Sequence, residues 1–226
     1  MNLDWQPLIL TLQLAGVTTL LLLLIGVPLA WWIASSCSRF KIVMEALVSL
    51  PLILPPSVLG FYLLLAFSPE HFFGAFLRDH FALSLVFSFP GLVVGSVLFS
   101  LPFMVQPLQA GFQALPASLA EASYTLGKSR RYTLFKVLLP NIHPALLTGT
   151  VLSFAHTIGE FGVVLMIGGN IPGVTRVASI AIYDEVESLN YTAAHFHAAV
   201  LLALSFTILL VVYAINKRFH VTRGTL

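Results

Sequence analysis

The hydrophobic pattern of this chain consists of long apolar stretches separated by short polar segments. Four intervals carry no charged side chain: Asp4 to Arg39, Glu45 to Glu70, Asp79 to Glu121, and Glu187 to Lys217. A fifth apolar stretch is interrupted by one charge, Glu160. Because a helix needs about 20 residues to cross a hydrocarbon core about 30 Å thick, the pattern predicts five transmembrane helices. They lie near residues 9–34, 46–67, 84–106, 145–167 and 195–216.

The composition agrees with a membrane protein. Only 9% of the 226 residues are charged and 58% are hydrophobic, whereas a soluble domain carries about 25% charged residues. Disorder is excluded as well, because disordered chains have low hydrophobicity. The apolar stretches lack the alternation of barrel strands. We therefore predict an all-α polytopic fold, with one transmembrane domain over residues 1–226.

The basic residues are distributed unequally between the two sides that five crossings define. Nine of the eleven fall on one side: Arg39, Lys41, Lys128, Arg130, Arg131, Lys136, Lys217, Arg218 and Arg223. The other side holds Arg78 and Arg176. Because loops rich in lysine and arginine stay in the cytoplasm, this bias predicts an N-terminus outside the membrane and a cytoplasmic C-terminus.

The main polar segment on the predicted cytoplasmic side runs from about residue 107 to residue 140. Ser118 and Glu121 have the spacing of a capping box, in which two side chains bond backbone amides at the start of a helix. The short helix would run to Leu126 and stop at Gly127, since glycine suits a left-handed helix cap.

A second helical stretch is predicted after this glycine. Tyr132, Phe135 and Leu139 would form one apolar stripe on it, and Pro140 would bias the chain out of helix before the fourth span. Composition alone allows the hairpin to be an amphipathic pair that lies on the lipid headgroups.

A spaced motif in the same loop favours another interpretation. Its residues are Glu121, Ala122 and Ser123, then Gly127, then Val137, Leu139 and Pro140. The motif resembles the E-A-A – x3 – G – x9 – I-x-L-P signature of bacterial ABC-importer permeases. Ser123 replaces the third alanine of that signature, and Val137 replaces its isoleucine. The resemblance implies that the loop contains a coupling helix, which docks into a groove on a separate ATPase subunit.

The loop also matches a loose phosphate-loop pattern between Ala122 and Ser129, with Gly127-Lys128 at its centre. Phosphate binding by that pattern requires a buried strand before the loop and a helix after it, whose N-terminus receives the phosphates. The preceding residues are instead predicted to be helical, and the chain has no room for a soluble α/β domain. We expect this chain to bind no nucleotide cofactor; ATP belongs to the partner subunit.

Glu160 is the one acidic residue well inside a predicted span. A charge at that depth costs on the order of 2.5–3.5 kcal/mol on insertion scales, so it needs a partner, a water-filled cavity or a proton. His156 lies one helical turn earlier and could be the partner. Two roles are open for Glu160: it lines or gates a transport path, or it braces kinked helices beside Gly159 and Gly162.

No catalytic or metal-binding constellation is predicted. His195 and His197 are two residues apart and therefore lie on nearly opposite faces of a helix. His156 and Glu160 do not form the H-E-x-x-H arrangement of a zinc protease. Because no nucleophile and base can be paired by spacing, we expect a transport subunit rather than an enzyme.

Two further segments are candidates for the path and for a partner surface. Pro55, Pro56 and Ser57 open the second span in a proline-rich run. Prolines free backbone carbonyls, which neighbouring helices or a water-lined path can satisfy, although a simple kink is an equal alternative. The outer loop at about residues 168–194 is the largest polar segment on that side, and we predict that an extracytoplasmic partner docks there.

These segments narrow the resemblance. Three runs are similar to the sulfate/molybdate branch of these permeases: Leu-Pro-Pro-Ser-Val-Leu-Gly at residues 54–60, Gly-Glu-Phe-Gly at 159–162 and Gly-Asn-Ile-Pro-Gly at 169–173. The run Pro-Pro-Ser-Val-Leu-Gly-Phe-Tyr and the short chain are most similar to its molybdate members. The resemblance implies a type I ABC-importer permease in the inner membrane. Its partners would be a second copy of the chain, two cytoplasmic ATPase subunits and a periplasmic oxyanion-binding protein.

The sequence leaves alternatives for the substrate and for the energy source. Sulfate, thiosulfate or tungstate could take the place of molybdate. A proton-coupled secondary transporter could use His156 and Glu160 as its relay.

Overall fold

The computed structural model describes residues 4–221, with side chains as far as residue 211. Every regular element in this part of the chain is helical: α1 (Gln6–Ser35), α2 (Phe40–Ile53), α3 (Pro56–Phe67), α4 (Phe72–Phe81), α5 (Phe89–Gln113), α6 (Ala117–Thr125), α7 (Arg130–Tyr132), a π-helix (Thr133–Leu138), α8 (Leu139–Asn141), α9 (His143–Ile158), α10 (Gly162–Gly168), α11 (Ala178–Glu187) and α12 (Tyr191–Val221). The predicted all-α fold is confirmed.

Three of these helices are long and apolar enough to cross a membrane: α1, α5 and the part of α12 over Tyr191–Val211. Two further pairs pass the same test but are bent, α2 with α3 by 114° and Arg130–Asn141 with α9 by 84°. The described residues therefore hold three spans, or up to five if each bent pair crosses once. The number of predicted crossings equals the upper figure, although the second bent pair covers residues 130–158 and the fourth predicted span covers residues 145–167.

Helix α5 extends well beyond the predicted span. The Ser88 side chain caps its start by accepting a hydrogen bond from the Gly91 amide (3.3 Å), and the helix then passes through Pro102 and Pro107 to Gln113. The helix thus continues about a turn and a half past residue 107, near which the cytoplasmic loop was predicted to begin. Membrane helices tolerate interior prolines because neighbouring helices satisfy the freed carbonyls, and most of α5 is buried.

The second and fourth predicted spans are not continuous helices. Helix α2 ends at Ile53, and α3 begins at Pro56 after an extended Leu54. Pro55 and Pro56 have no amide to donate, so the hydrogen-bond ladder cannot pass through them. In the fourth span α9 ends at Ile158 and α10 begins at Gly162. The chain therefore contains two helix breaks: the first lies in the proline-rich run, where a broken or kinked helix was predicted, and the second, between α9 and α10, was not predicted.

The core forms where α1, α5 and α9 pack together. One apolar cluster joins the last turns of α1 and α5 to the π-helix, and a second joins the first turns of α1 and α5 to α10 and α11. Gly26 permits the close approach of α1 to α5, because a Cβ at this residue would lie 2.7 Å from Met104 Cγ. Helix α12 is by contrast largely exposed over Tyr191–Val211, as expected for a lipid-facing helix.

Candidate functional site

The two helix breaks lie against each other. A Cβ built on Gly162, the first residue of α10, would be 2.6 Å from Cβ of Pro56 and 3.4 Å from the Ser57 amide nitrogen. A Cβ on Gly60 would similarly be 2.8 Å from Cβ of Met166. Helices α3 and α10 are thus in direct contact along small residues. Tertiary structure brings the proline run of the second span together with the interrupted fourth span.

Glu160 lies in the break itself, between α9 and α10. Its side chain is 3% exposed. The carbonyl oxygen accepts a hydrogen bond of 2.6 Å from the Ser179 hydroxyl, so the break is tied to α11. Neither carboxylate oxygen has a hydrogen-bond partner among the described residues. The hydroxyl of Ser96, which is buried on α5, is also without a hydrogen-bond partner among these residues.

His156 does not pair with Glu160, so that prediction is wrong. Its Nδ1 atom is hydrogen-bonded to the Ser100 hydroxyl at 2.9 Å, and its ring stacks on Phe103 at a centroid distance of 4.0 Å. The Ser100 hydroxyl also lies 3.0 Å from that of Thr157. The spacing of four residues assumed one continuous helix, whereas α9 ends before Glu160 and the two side chains diverge.

Helix α6 ends in the predicted left-handed turn at Gly127, where φ is +69°. The Gly127 amide donates to the Tyr124 carbonyl at 2.9 Å, and the Lys128 amide donates to the Ser123 carbonyl at 3.1 Å. This pair of bonds is a Schellman motif, which satisfies the last carbonyls of the helix. It also reverses the chain sharply towards the π-helix.

The predicted capping box at the start of α6 is wrong. Pro116 occupies the N-cap position, and no side chain caps the helix. Ser118 therefore lies inside the first turn, and a capping side chain must stand one residue outside it. Proline suits the start of a helix because its φ is already helical and its missing amide is not needed there.

The second helical stretch of the loop also differs from the prediction. Ser129 caps it by accepting from the Tyr132 amide at 3.3 Å, and the π-helix follows at once. Tyr132 and Phe135 of the predicted apolar stripe are exposed. The wider turn of a π-helix changes the helical period, so a different set of residues is buried: Thr133, Leu134 and Leu138. Pro140 does not end the helix, which continues to Asn141 and bends at Ile142.

A buried hydrogen bond connects the two halves of this loop. The hydroxyl oxygens of Ser123 on α6 and Thr133 on the π-helix lie 2.8 Å apart, and both side chains are buried. The Thr133 hydroxyl also lies 3.1 Å from the Ser129 carbonyl. Thr133 was missed by the sequence analysis, because the motif treated Ser123 as a neutral replacement of alanine and offered no signal for its partner.

The loop residues singled out by the motif divide into two groups. Ser123, Val137 and Leu139 face inwards, where Val137 and Leu139 pack on the core cluster that contains Leu134 and Leu138. The outward group is exposed to solvent: Glu121, Ala122, Gly127 and Pro140. A cavity of about 390 Å³ separates α6 from the ends of α1 and α5, and it is lined by Trp31, Phe112, Leu138 and Glu121 among others.

The predicted outer loop is more ordered than its composition indicates, since α11 lies within it. Arg176 donates to Asn170 Oδ1 (2.6 Å) and to Asp184 Oδ2 (2.9 Å). Asn170 in turn donates to the other oxygen of Asp184 at 2.8 Å. These three side chains close the Gly-rich turn onto α11.

Further along α11, the hydrogen bond from the Tyr183 hydroxyl to Glu187 raises the pKa of the phenol.

The two histidines of α12 have different surroundings. His197 is buried, and its Nε2 atom lies 2.8 Å from the Asp4 carbonyl oxygen. His195 is exposed, so the prediction that the two point to opposite faces is confirmed. Within the described part of the chain, no group of three or more His, Cys, Asp or Glu side chains could hold a metal ion.

The sequence matches a family described as "Binding-protein-dependent transport system inner membrane component" over residues 26–221. It is 47% identical over 216 residues to the molybdenum transport system permease protein ModB of Azotobacter vinelandii, covering 96% of this chain and 95% of that protein. It is also 34% identical to the sulfate transport system permease protein CysT of Salmonella typhimurium, covering 92% of this chain and 75% of that protein.

Solved structures share the fold. A chain of the MetNI methionine ABC transporter in an inward-facing conformation superposes with a TM-score of 0.72 at 18% identity, covering 96% of this chain and 95% of that one. A chain of a bacterial alginate ABC transporter, in complex with its alginate pentasaccharide-bound periplasmic protein, gives 0.76 at 18% identity, covering 97% and 80%. The fold is therefore that of type I ABC-importer permeases. The chain belongs to the family of inner-membrane components of binding-protein-dependent transport systems.

Proposed function

We propose that this chain is the membrane-spanning subunit of an ATP-driven importer for molybdate. The observation that carries the proposal is the 47% identity to the molybdenum permease protein, which extends over 96% of the chain. The chain forms the translocation path and transmits the motion of an ATPase, and it carries out no covalent chemistry. ATP binds to the partner subunit.

The segment between α5 and α9 serves as the coupling loop. Two features support a rigid lever: the Schellman turn at Gly127, and the buried bond between Ser123 and Thr133. Large apolar or aromatic side chains are exposed on its outer surface: Tyr124, Leu126, Tyr132 and Phe135. Exposed aromatic residues are typical of protein interfaces. This surface docks on the ATPase, while Val137 and Leu139 connect the lever to the core.

The functional assembly contains two copies of this chain, two cytoplasmic ATPase subunits and a periplasmic oxyanion-binding protein. The nine-to-two bias of basic residues supports an orientation with the N-terminus outside and the C-terminus in the cytoplasm. Of the nine, Arg223 lies outside the described residues. The binding protein docks on the outer segment at about residues 168–194. The hydrogen bonds among Arg176, Asn170 and Asp184 give this segment a defined conformation.

The paired helix breaks form the moving part of the path. Pro55, Pro56 and Ser57 are exposed in the subunit and line the path between the two copies. Glu160 is buried in the second break, which favours bracing the break over binding the substrate. His156 is half-buried and is bonded to Ser100 on α5, which also favours a bracing role. A carboxylate facing the path would repel an oxyanion, which agrees with the buried position of Glu160.

The substrate is tested by uptake into liposomes that contain the reconstituted importer. We expect ATP-dependent uptake of labelled molybdate, displaced by tungstate at similar concentration and by sulfate or thiosulfate only at great excess. Sulfate transport at equal or lower concentration would reassign the chain to the sulfate permeases, to which it is also similar. Uptake that persists without the ATPase would overturn the proposal in favour of a proton-coupled secondary transporter.

The coupling role has a separate test. Gly127→Pro removes the left-handed turn, and Glu121→Lys reverses an exposed charge on α6. We expect both variants to reach the membrane and to lose co-purification with the ATPase or stimulation of its hydrolysis. Glu70→Lys, an exposed charge reversal between α3 and α4, is the matched control and should retain both. If Gly127→Pro and Glu121→Lys retain co-purification and stimulation as fully as the control does, the loop has no coupling function.

A further inference from the structure

Polar side chains connect α2 to α5 along one edge of their contact. The side-chain amide of Gln109 donates a hydrogen bond of 2.6 Å to Glu45 Oε1. One turn earlier on α5, the side-chain amide of Gln106 donates a hydrogen bond of 3.2 Å to the Ser49 hydroxyl. The ammonium group of Lys41 lies 3.9 Å from the same oxygen of Glu45. These five residues form a continuous row of polar contacts, which we call the polar edge.

The inner part of the polar edge lies within the membrane. Helices α1 and α5 run in the same direction, because one apolar cluster joins their first halves and another joins their second halves. Gly26 lies against Met104. Gln106 is therefore level with Pro28, about one turn before the Trp31–Trp32 pair. Because tryptophan is enriched at the membrane–water interface, this level places Gln106 below the interface, towards the hydrocarbon core.

Lipid is a poor environment for the Gln106 side chain, which is exposed in the subunit. Within the described part of the chain its amide makes one hydrogen bond, to Ser49. A second N–H and the carbonyl oxygen therefore require another partner, because an amide without hydrogen bonds is costly to transfer into hydrocarbon. Polar side chains of membrane segments face the protein interior or a water-filled cavity. We therefore expect water, rather than acyl chains, beside the polar edge.

The position of the polar edge indicates which water-filled space it faces. Most of α5 is buried, but Gln106 and Gln113, two turns apart on one side of the helix, remain exposed. The far side of α2 is apolar instead, with Val43 50% and Leu47 54% exposed. Beyond its last turn α2 leads into the exposed residues 55–57, which belong to the proposed path. The polar edge therefore extends that path from the first helix break towards the cytoplasm.

We propose that the polar edge lines the cytoplasmic half of the translocation path, and that the Gln106 amide donates a hydrogen bond to the passing oxyanion. This inference rests on the proposed function and identifies residues of the same path. An amide stabilises an oxyanion without the full charge of a lysine or arginine, and a transport path requires binding weak enough for release. The charge of Glu45 is offset by Lys41 and by the Gln109 amide, which weakens its repulsion of an anion.

Cysteine accessibility in the assembled importer tests the position of the polar edge. In a Cys37→Ser background, which removes the single cysteine, a thiol is placed at Gln106→Cys or at Leu47→Cys, the matched control on the apolar side of α2. A charged, membrane-impermeant methanethiosulfonate reagent is added to inside-out vesicles. Because the hydrated thiolate is the reactive form, we expect Gln106→Cys to react severalfold faster than Leu47→Cys. ATP with vanadate should slow the reaction at residue 106 severalfold, since an importer closes one side of its path when the other opens.

Three labelling results would overturn the proposal. Equal rates for the two variants would mean that the polar edge is no more hydrated than the far side of α2. A rate at residue 106 that ATP with vanadate does not change would place the polar edge in the headgroup region, outside the path. No reaction at residue 106 in either state would mean that lipid or the second copy covers it. Ser49→Cys repeats the measurement if Gln106→Cys assembles poorly.

The contact with the oxyanion has its own test. Gln106→Glu keeps the shape of the side chain and replaces the amide donor by a carboxylate, so molybdate uptake should fall severalfold while co-purification with the ATPase is retained. Unchanged uptake would overturn this contact. The labelling experiment does not use the substrate, so a sulfate importer would give the same labelling pattern. Loss of that pattern together with normal molybdate uptake would refute the polar edge and leave the proposed function intact.

Discussion

The hydroxyl oxygens of Ser123 and Thr133 lie 2.8 Å apart in a site closed to solvent, and they join the short helix α6 to the π-helix that leads back to the core. A buried hydroxyl that loses its partner costs more than the bond itself contributes. The pair therefore links the loop conformation to the stability of the whole membrane domain.

The first prediction concerns this pair. Ser123→Ala should cost about 0.5–1.5 kcal/mol, because the Thr133 hydroxyl keeps the Ser129 carbonyl as its acceptor. Thr133→Val should cost about 1–3 kcal/mol, since it leaves the Ser123 hydroxyl buried without a partner. The double variant should cost less than the two together. Thermal unfolding of the purified subunit measures each value, and strict additivity would mean that the two hydroxyls do not interact.

The second prediction concerns Gly127, whose φ of +69° is unfavourable for other residues. No atom lies within 4 Å of a Cβ at this position, so Gly127→Ala tests backbone strain without a steric clash. We expect a cost of about 1–2 kcal/mol, and a smaller one for Gly127→Asn. Gly16→Ala is the control, because it has the same free space in a helix and should be neutral or stabilising. Unfolding midpoints compare the three variants.

The third prediction tests the contact between the two helix breaks. Gly162→Ala places a Cβ 2.6 Å from that of Pro56, whereas the nearest atoms to a Cβ on Gly159 are 3.9 Å away. Overpacking of this kind costs typically about 1–3 kcal/mol. We expect Gly162→Ala to lower the unfolding midpoint and to slow uptake, and Gly159→Ala to leave both unchanged. Equal effects of the two substitutions would mean that α3 and α10 are not closely packed.

The fourth prediction separates bracing from gating at Glu160. Glu160→Gln keeps the shape of a buried side chain that has no hydrogen-bond partner among the described residues, so it should preserve both fold and uptake. Glu160→Ala should lose on the order of 2 kcal/mol of stability through the cavity it leaves. Reconstituted uptake and unfolding are measured on both variants. Loss of uptake in a normally stable Glu160→Gln importer would identify a gate.

The fifth prediction concerns the outer segment. Arg176→Gln removes the bonds to Asn170 and Asp184, and because this ion pair is partly exposed its removal should cost only about 0.2–1 kcal/mol. The local effect should be larger than the global one, with faster hydrogen exchange over residues 168–176. Glu185→Ala removes an exposed bond from Asn190 in the same outer segment and serves as the control. Unchanged exchange in Arg176→Gln would show that the turn holds its shape without these contacts.

Much of the architecture could be predicted, and the misses have identifiable causes. The Gly127 turn was found because a left-handed cap is a local event within a few residues. The capping box failed because the helix has its N-cap at Pro116, two positions earlier than a capping Ser118 requires. The pairing of His156 with Glu160 failed because it assumed a helix that the chain interrupts at Gly159. The stripe of Tyr132 and Phe135 failed because a π-helix has a different period.

The sequence by itself determined that this protein lies in a membrane, where its long apolar stretches lie, and that the loop between α5 and α9 turns at Gly127. These properties depend on transfer free energies and backbone preferences that act over one turn or one span. Only the tertiary structure decided that Pro56 meets Gly162, that His156 bonds Ser100, and that Thr133 holds Ser123. Two of these contacts join elements distant in the chain and the third depends on a π-helical turn, so their geometry exists only once the helices have packed.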